Sequence, residues 1–215
     1  MVIGRRPIAL SVAGRTDRGV HATGQVASHA GDPVSAHALN AILPRDVRVL
    51  ASLPAGDSFD ARRDAVARIY AYRILTRRAA SALEHRTQLH LTHPLDDDAL
   101  AACAQAVAGS HDFRAFTPTE TDHEHFGRTI HRAAWRRDGE RLTFTIEGDA
   151  FLRHMVRAIV GTMLDVGRGR RTGTAFAALL EGSHRREAGM TAPACGLTLV
   201  GVRYAALVPA CGSDC

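Results

Sequence analysis

The sequence predicts a mixed α/β fold for this 215-residue chain. Two periodicities and one turn signal carry that expectation. From Val66 to Ile74 the chain alternates strictly, with Val66, Arg68, Tyr70, Tyr72 and Ile74 on one face and Ala65, Ala67, Ile69 and Ala71 on the other, the period-2 pattern of a strand. Residues 96–108 and 151–166 instead space their apolar side chains as one stripe of a helix. Asp138-Gly139, between two further strand-like runs, is a strong hairpin signal.

Composition narrows the function classes. Hydrophobic residues make up 46% and charged residues 23%, ordinary values for a globular domain with a substantial core. Every basic side chain is arginine, and the net charge is +5, which suits a polyanionic partner. Arginine favours bidentate phosphate contacts and stacking on bases, although a GC-rich genome would give the same bias. The cysteines, Cys103, Cys195, Cys211 and Cys215, form no CxxC pair and no zinc spacing, so free thiols of a reducing compartment are expected. Arg5-Arg6 and the apolar run after it are too short for a signal peptide. No stretch is long enough to cross a bilayer. A cytoplasmic protein with no membrane partner is expected.

Taken in order, Ile8, Leu10 and Val12 read as a strand feeding a polar loop over residues 13–26. Asp32-Pro33 reads as an N-cap with proline at the first helical position, for a helix through Ala38, Leu39 and Ile42 that stops at Pro44. Residues 47–53 alternate like a strand, and residues 54–58 form a turn-rich break that predicts a border between two subdomains. The expected units are 1–57, 58–205 and a tail at 206–215. Residues 83–95 read as a loop. The helix over 96–108 starts with acids, which favours its dipole, presents Leu100, Cys103, Ala104 and Val107 to the core, and stops at Gly109. Phe113 and Phe116 read as core anchors. Asp122-His123-Glu124-His125 lacks the spacing that converges ligands on one ion, so no metal is expected. Strands over 129–137 and 141–147 precede the helix over 151–166, which Gly167 closes. A short helix over 172–180 and a strand over 196–204 complete the pattern.

The loop over 13–26 is the first functional candidate. It holds three glycines, two arginines and one carboxylate, Asp17, at a strand end, where binding and catalytic groups concentrate. From residue types alone, Arg15 and Arg18 could simply pair with Asp17 at a surface turn. Arg-x-Tyr-x-Tyr on one strand face is a second candidate, against the plainer reading of tyrosines lining a half-buried sheet. Arg153, His154 and Arg157 crowd the start of the third helix, where the helix N-terminus favours anions.

Gly14-Arg15-Thr16-Asp17-x-Gly19-Val20-His21-Ala22-x-Gly24-Gln25-Val26 resembles the signature of the tRNA pseudouridine synthase A family. Further matches run along the chain: Leu39-Asn40-x-x-Leu43-Pro44, the F.AR..A..R.Y.Y.I pattern from Phe59 to Ile74, His111-Asp112-Phe113-x-x-Phe116, the FL..MVR.IVG..L.VG pattern from Phe151 to Gly167, and Gly196 to Tyr204. Two positions depart from the family's pattern: Arg18, where Ala is usual, and Phe126, where Thr is usual.

The resemblance implies an α/β (α+β) fold of the pseudouridine synthase kind, two related subdomains sharing a mostly antiparallel sheet, with flanking helices and a central cleft. It implies a cofactor-free isomerase that converts uridine to pseudouridine in the tRNA anticodon stem-loop, at tRNA positions 38 to 40, and that acts as a homodimer. Asp17 would be the nucleophile and Tyr70 would contact the uridine. Arg157 would pair with Asp17, and Arg15 would hold a phosphate or help extrude the base. The carboxylate's route stays open between attack on the sugar, attack on the base and proton abstraction. The family also places a strand and a helix before the Arg-Thr-Asp loop. Their lack implies an incomplete first subdomain, a gene start further upstream and a poor enzyme as written, the alternative being an inactive RNA-binding remnant.

Overall fold

The computed structural model describes residues 2–3, 6–121 and 124–205. In chain order the elements are β1 (Val2–Ile3), β2 (Arg6–Pro7), β3 (Ser11–Val12), β4 (His21–Ala22), β5 (Ala27–Ser28), α1 (Ala36–Ile42), β6 (Ala65–Leu75), β7 (Leu89–His90), α2 (Asp97–Val107), β8 (Gly109–Asp112), β9 (Gly127–Asp138), β10 (Arg141–Gly148), α3 (Met155–Gly167), α4 (Gly173–Ala177) and β11 (Leu197–Tyr204). Seven strands form one mostly antiparallel sheet in the order β4-β11-β6-β10-β9-β8, with β7 beside the far end of β6. Only β4 on β11 and β7 on β6 run parallel. The mixed α/β class and the antiparallel sheet are as the sequence predicts.

β6 is the spine. Tyr72 and Ile74 are fully buried and Tyr70 nearly so, and the strand pairs with β10 from Arg68 to Leu75 and with β11 from Ala65 to Tyr72. The β9–β10 hairpin sets Asp138 opposite Arg141, so the turn residues are Gly139 and Glu140 rather than Asp138 and Gly139. Gly139 takes φ +57°, which a tight hairpin requires of that position. Trp135 faces Phe144 across the hairpin, ring centroids 4.9 Å apart, and its indole N–H points at Met163 Sδ of α3.

Helix α2 begins at its Asp96 cap, whose carboxylate accepts from the Ala99 amide. Its predicted stripe of Leu100, Cys103, Ala104 and Val107 is buried. Met155, Ile159, Val160 and Met163 of α3 are buried in the same core with Phe113 and Phe116. Each such side chain contributes about 1.5–3 kcal/mol by leaving water. Burial pushes the Cys103 thiol up to about 11.

Several sequence expectations need correction. The first helix is capped by Ser35, whose hydroxyl accepts from Ala38 N–H, not by Asp32. Residues 47–53 form no strand, because Asn40 captures the backbone of Val49, accepting from its N–H and donating to its carbonyl, each at 2.8 Å. Leu50 and Leu53 are left 87% and 77% exposed. Leu89–His90 is a strand inside the expected 83–95 loop. The third helix starts at Met155, four residues later than its apolar pattern, because residues 151–154 make a turn that closes with Met155 N–H on the Leu152 carbonyl. Asp122, His123 and the 206–215 tail with Cys211 and Cys215 lie outside the described residues.

Candidate active site

The residues-13–26 loop is fixed before it reaches Asp17. The β3–β5 ribbon closes its base, and Ala13 N–H donates to Val26 O at 2.9 Å. Gln25 then acts as a substitute strand, donating from Nε2 to the Gly14 carbonyl at 2.6 Å while its Oε1 accepts from the Gly14 and Val26 amides. Arg68 of β6 reaches in from below, donating to the carbonyls of Ala13, Ala65, Asp149 and Arg62. On the far side, Thr23 and Gly24 N–H groups donate to Leu199 O of β11. A β-carbon at Gly24 would lie 2.4 Å from Val200 O, so only glycine lets the loop lie this close to the strand.

Asp17 sits at the apex, turned inward. Arg157 of α3 donates from Nη1 to Asp17 Oδ2 at 3.0 Å, across 140 positions of sequence. The guanidinium is held from behind, Nε donating to the Ala192 carbonyl at 2.8 Å while Ala192 N–H donates to the Arg157 carbonyl. Tyr72 secures the same segment, its hydroxyl donating to Pro193 O at 2.8 Å. The Arg157 side chain is 15% exposed and that of Asp17 29%, so water weakens this pair less than it would a surface bridge.

A second group reaches the same oxygen. His154 Nε2 lies 3.4 Å from Asp17 Oδ2. His154 takes φ +61°, the positive φ that no other non-glycine adopts among the described residues, a conformation that costs about 1–3 kcal/mol. Burial and the neighbouring guanidiniums of Arg157, Arg153 and Arg185 lower its pKa, while Asp17 raises it; burial dominates and the direction is down. The imidazole is therefore uncharged near neutrality.

Tyr70 stands beneath the loop. A β-carbon at Gly14 would lie 3.3 Å from its hydroxyl oxygen, and its ring meets Phe151 edge to face, centroids 5.2 Å apart. Burial raises the phenol pKa, Arg68 opposes the shift and the Asp17 charge adds to it, so the hydroxyl keeps its proton near neutrality. The alternation that placed Tyr70 and Tyr72 on one face holds, but Tyr72 is committed to the Pro193 carbonyl and Tyr70 to the loop.

The structure thus brings together Asp17, Arg157 and Tyr70 and leaves Arg15 apart. Arg15 is exposed, and among the described residues no hydrogen bond or ion pair engages it. The surface-turn reading, with Arg15 and Arg18 on Asp17, does not hold. Sequence reasoning picks out His154 only as one of a polar cluster at a helix start and not as a contact of Asp17, and it misses two further supporting parts: Gln25, whose bridging of its own loop has no periodic signal, and the Ala192–Pro193 backbone.

Two clefts flank this assembly without including Asp17. One of about 480 Å³ is lined by residues of β8 and β9 with Asp149 and Glu181. The other, of about 370 Å³, is lined by Arg114, Thr117, Phe126, Arg185 and Arg186 among others, with no acidic residue. Phe126, in the family's threonine position, carries the Arg114 guanidinium over its ring at 4.8 Å. The Thr117 hydroxyl donates to the Arg153 carbonyl, one residue from His154. Among the described residues no group of His, Cys, Asp and Glu side chains is placed to hold a metal ion.

The arrangement offers one half-exposed carboxylate with a fixed guanidinium on Oδ2, a protonated phenol below it and a basic cleft beside it. That set suits nucleophilic or base chemistry on a ligand of a polyanion. Comparison with known proteins identifies relatives along most of the chain. A family model described as tRNA pseudouridine synthase matches residues 103–205. The chain is 39% identical to the tRNA pseudouridine synthase A of Myxococcus xanthus over 203 residues, which cover 92% of this chain and 77% of that protein. It is 41% identical over 197 residues to that of Moorella thermoacetica, covering 89% and 80%. It is 42% identical over 203 residues to that of Caulobacter vibrioides strain NA1000, covering 92% and 82%.

Proposed function

The chain belongs to the tRNA pseudouridine synthase A family, an isomerase family, and we propose that it converts uridine to pseudouridine in the anticodon stem-loop of tRNA with Asp17 as the nucleophile. The single observation that carries the assignment of Asp17 is its contact with Arg157, two motifs of the sequence joined at 3.0 Å.

The reaction breaks the bond from uracil N1 to ribose C1′ and forms a bond from C5 to C1′. The C5 proton leaves and N1 gains one, so atoms and electrons balance without redox chemistry. The contacts from Arg157 and His154 both fall on Oδ2 of Asp17, and this leaves Oδ1 to the uridine. The Arg157 guanidinium pins Oδ2 in place, which orients the carboxylate for attack. Attack splits one difficult exchange into two easier steps, and base attack and sugar attack are both compatible with this placement. The uridine must first leave its stack to reach the carboxylate. Tyr70, buried beneath the loop, then meets the uracil ring and holds its proton for hydrogen bonding. Arg15, exposed at the loop rim, meets a phosphate or the displaced partner base.

In this reading the site lies between residues 1–57, which supply the Asp17 loop, and residues 58–205, which supply Tyr70 and Arg157. The enzyme works as a homodimer in the cytoplasm with its tRNA. Exposed Ile42, Leu50 and Leu53 support a self-association surface, and no described helix is long and apolar enough to cross a membrane. An inactive remnant is the less favoured reading, because the relatives it matches are named as synthases along nearly the whole chain.

The test is Asp17→Asn with a uridine-containing tRNA transcript. Conversion should be lost while tRNA affinity stays within a few-fold, because the change is nearly isosteric and arginine–phosphate contacts dominate binding. Full turnover by the Asn variant would remove Asp17 from the role.

A further inference from the structure

We infer that His154 is a positioning residue for Asp17, its imidazole set against Oδ2 so that this oxygen stays turned to Arg157 and Oδ1 stays turned to the uridine. The inference rests on Asp17 being the nucleophile.

Conformation is the first ground. His154 occupies the cap position of α3 yet makes no side-chain capping hydrogen bond, so capping does not account for it. Residues that cap well are Ser, Thr, Asp and Asn. Glycine or asparagine would adopt φ +61° at less expense. What the left-handed turn does achieve is direction. It swings the ring off the helix axis and delivers Nε2 to within 3.4 Å of Asp17 Oδ2. Strain held at a site and not needed by the local fold points to a site role.

Surroundings are the second ground. The groups facing the ring are Asp17 from the loop, Arg157 from its own helix, Arg153 beside it and Arg185 from the Arg185–Glu187 turn. Arg185 is itself fixed by the Gly189 carbonyl and the Thr191 hydroxyl, and Arg157 by Ala192 and Asp17, so these two charges cannot swing away. Burial and three guanidiniums hold the ring neutral near neutral pH, and Arg157 is then the one full positive charge on Oδ2. In acid the ring gains a proton and becomes a second cation on the same oxygen, drawing charge from the carboxylate that must attack. His154 thereby sets both the orientation of Asp17 and the lower pH limit of turnover.

The test uses the full chain, a tRNA transcript, and His154→Gly. Glycine suits the left-handed angle, so the variant should melt no lower than the parent. Expected are a kcat at least tenfold lower, a KM for tRNA within twofold, and loss of the acid-side inflection of kcat below neutrality. Added imidazole should restore part of the rate. His154→Asn, which also tolerates the angle but is too short to reach Oδ2, should not recover it. An acid inflection that stays in place in His154→Gly overturns the inference whatever the size of the kcat loss. Asp17→Asn in the same assay separates the two readings: an inactive Asn variant beside an unaltered His154→Gly leaves the nucleophile assignment standing and removes only this one.

Discussion

Arg157→Met is the most informative single change. Methionine keeps the length and apolar stem of the side chain and removes three hydrogen-bonding nitrogens. Two contacts go: Nη1 to Asp17 Oδ2 at 3.0 Å and Nε to the Ala192 carbonyl at 2.8 Å. The first is a charge-assisted bond between groups only 15% and 29% exposed, worth about 1.5–3 kcal/mol. If that interaction orients the carboxylate in the transition state, turnover falls by about one to two orders of magnitude. The second is a neutral-acceptor bond worth about 1 kcal/mol of stability, which in a chain of this size lowers the melting temperature by roughly 2–4 °C. Arg157→Lys should fall between, since one ammonium cannot serve both Asp17 and Ala192. A tRNA transcript tritiated at uridine C5 reports turnover directly, because that hydrogen is lost when C5 joins C1′. The reasoning is refuted by a Met variant that melts as expected yet releases tritium within twofold of the parental rate.

Tyr70→Phe should bind tRNA normally and turn over slowly, whereas Tyr72→Phe should lose about 1 kcal/mol of stability with its bond to Pro193 O and keep most of its rate; equal losses of kcat would contradict the division of labour between them. Asp60 accepts from the Arg63 amide, the Ser11 hydroxyl and the Arg62 amide, which hold its carboxyl below the usual carboxylate range. Its contribution is thus present above about pH 4 and is lost as pH falls through the lowered value. Asp60→Asn should therefore flatten the drop of melting temperature between pH 5 and 3, and an unchanged slope would show that Asp60 does not anchor the base of the Asp17 loop.

What the sequence made legible follows from periodicity. β6 and α2 show in the alternation from Val66 to Ile74 and in the stripe of Leu100, Cys103, Ala104 and Val107, because a half-buried element must repeat with its own geometry. Residues 47–53 alternate equally well and form no strand, since alternation says nothing about whether a neighbouring edge exists to pair with. α3 starts later than its apolar spacing predicts because Leu152 continues that spacing through a turn, and nothing in His154 as a residue type announces a left-handed backbone. The pairing of Asp17 with Arg157, 140 residues apart, has no local signal at all. It follows only from the resemblance, and the bracing contacts of Gln25, Ala192 and His154 have no signal in either the periodicity or the motifs.

The place of β11 in the sheet has a consequence for how the protein is made. β11 lies between β4 and β6, and the Leu199 carbonyl is what the Thr23 and Gly24 amides grip. On the ribosome, β4 emerges about 175 residues before its partner, an interval of roughly 10–35 s at ordinary rates of elongation. Through that time the Asp17 loop has no strand to lie on and Arg157 has no Ala192 behind it until the final stretch is translated. The nascent chain thus carries the Asp17 loop and α3 without the strand that seats them, so the Asp17–Arg157 pair is assembled in one late step, when the last strand slots into the gap that its predecessors leave open.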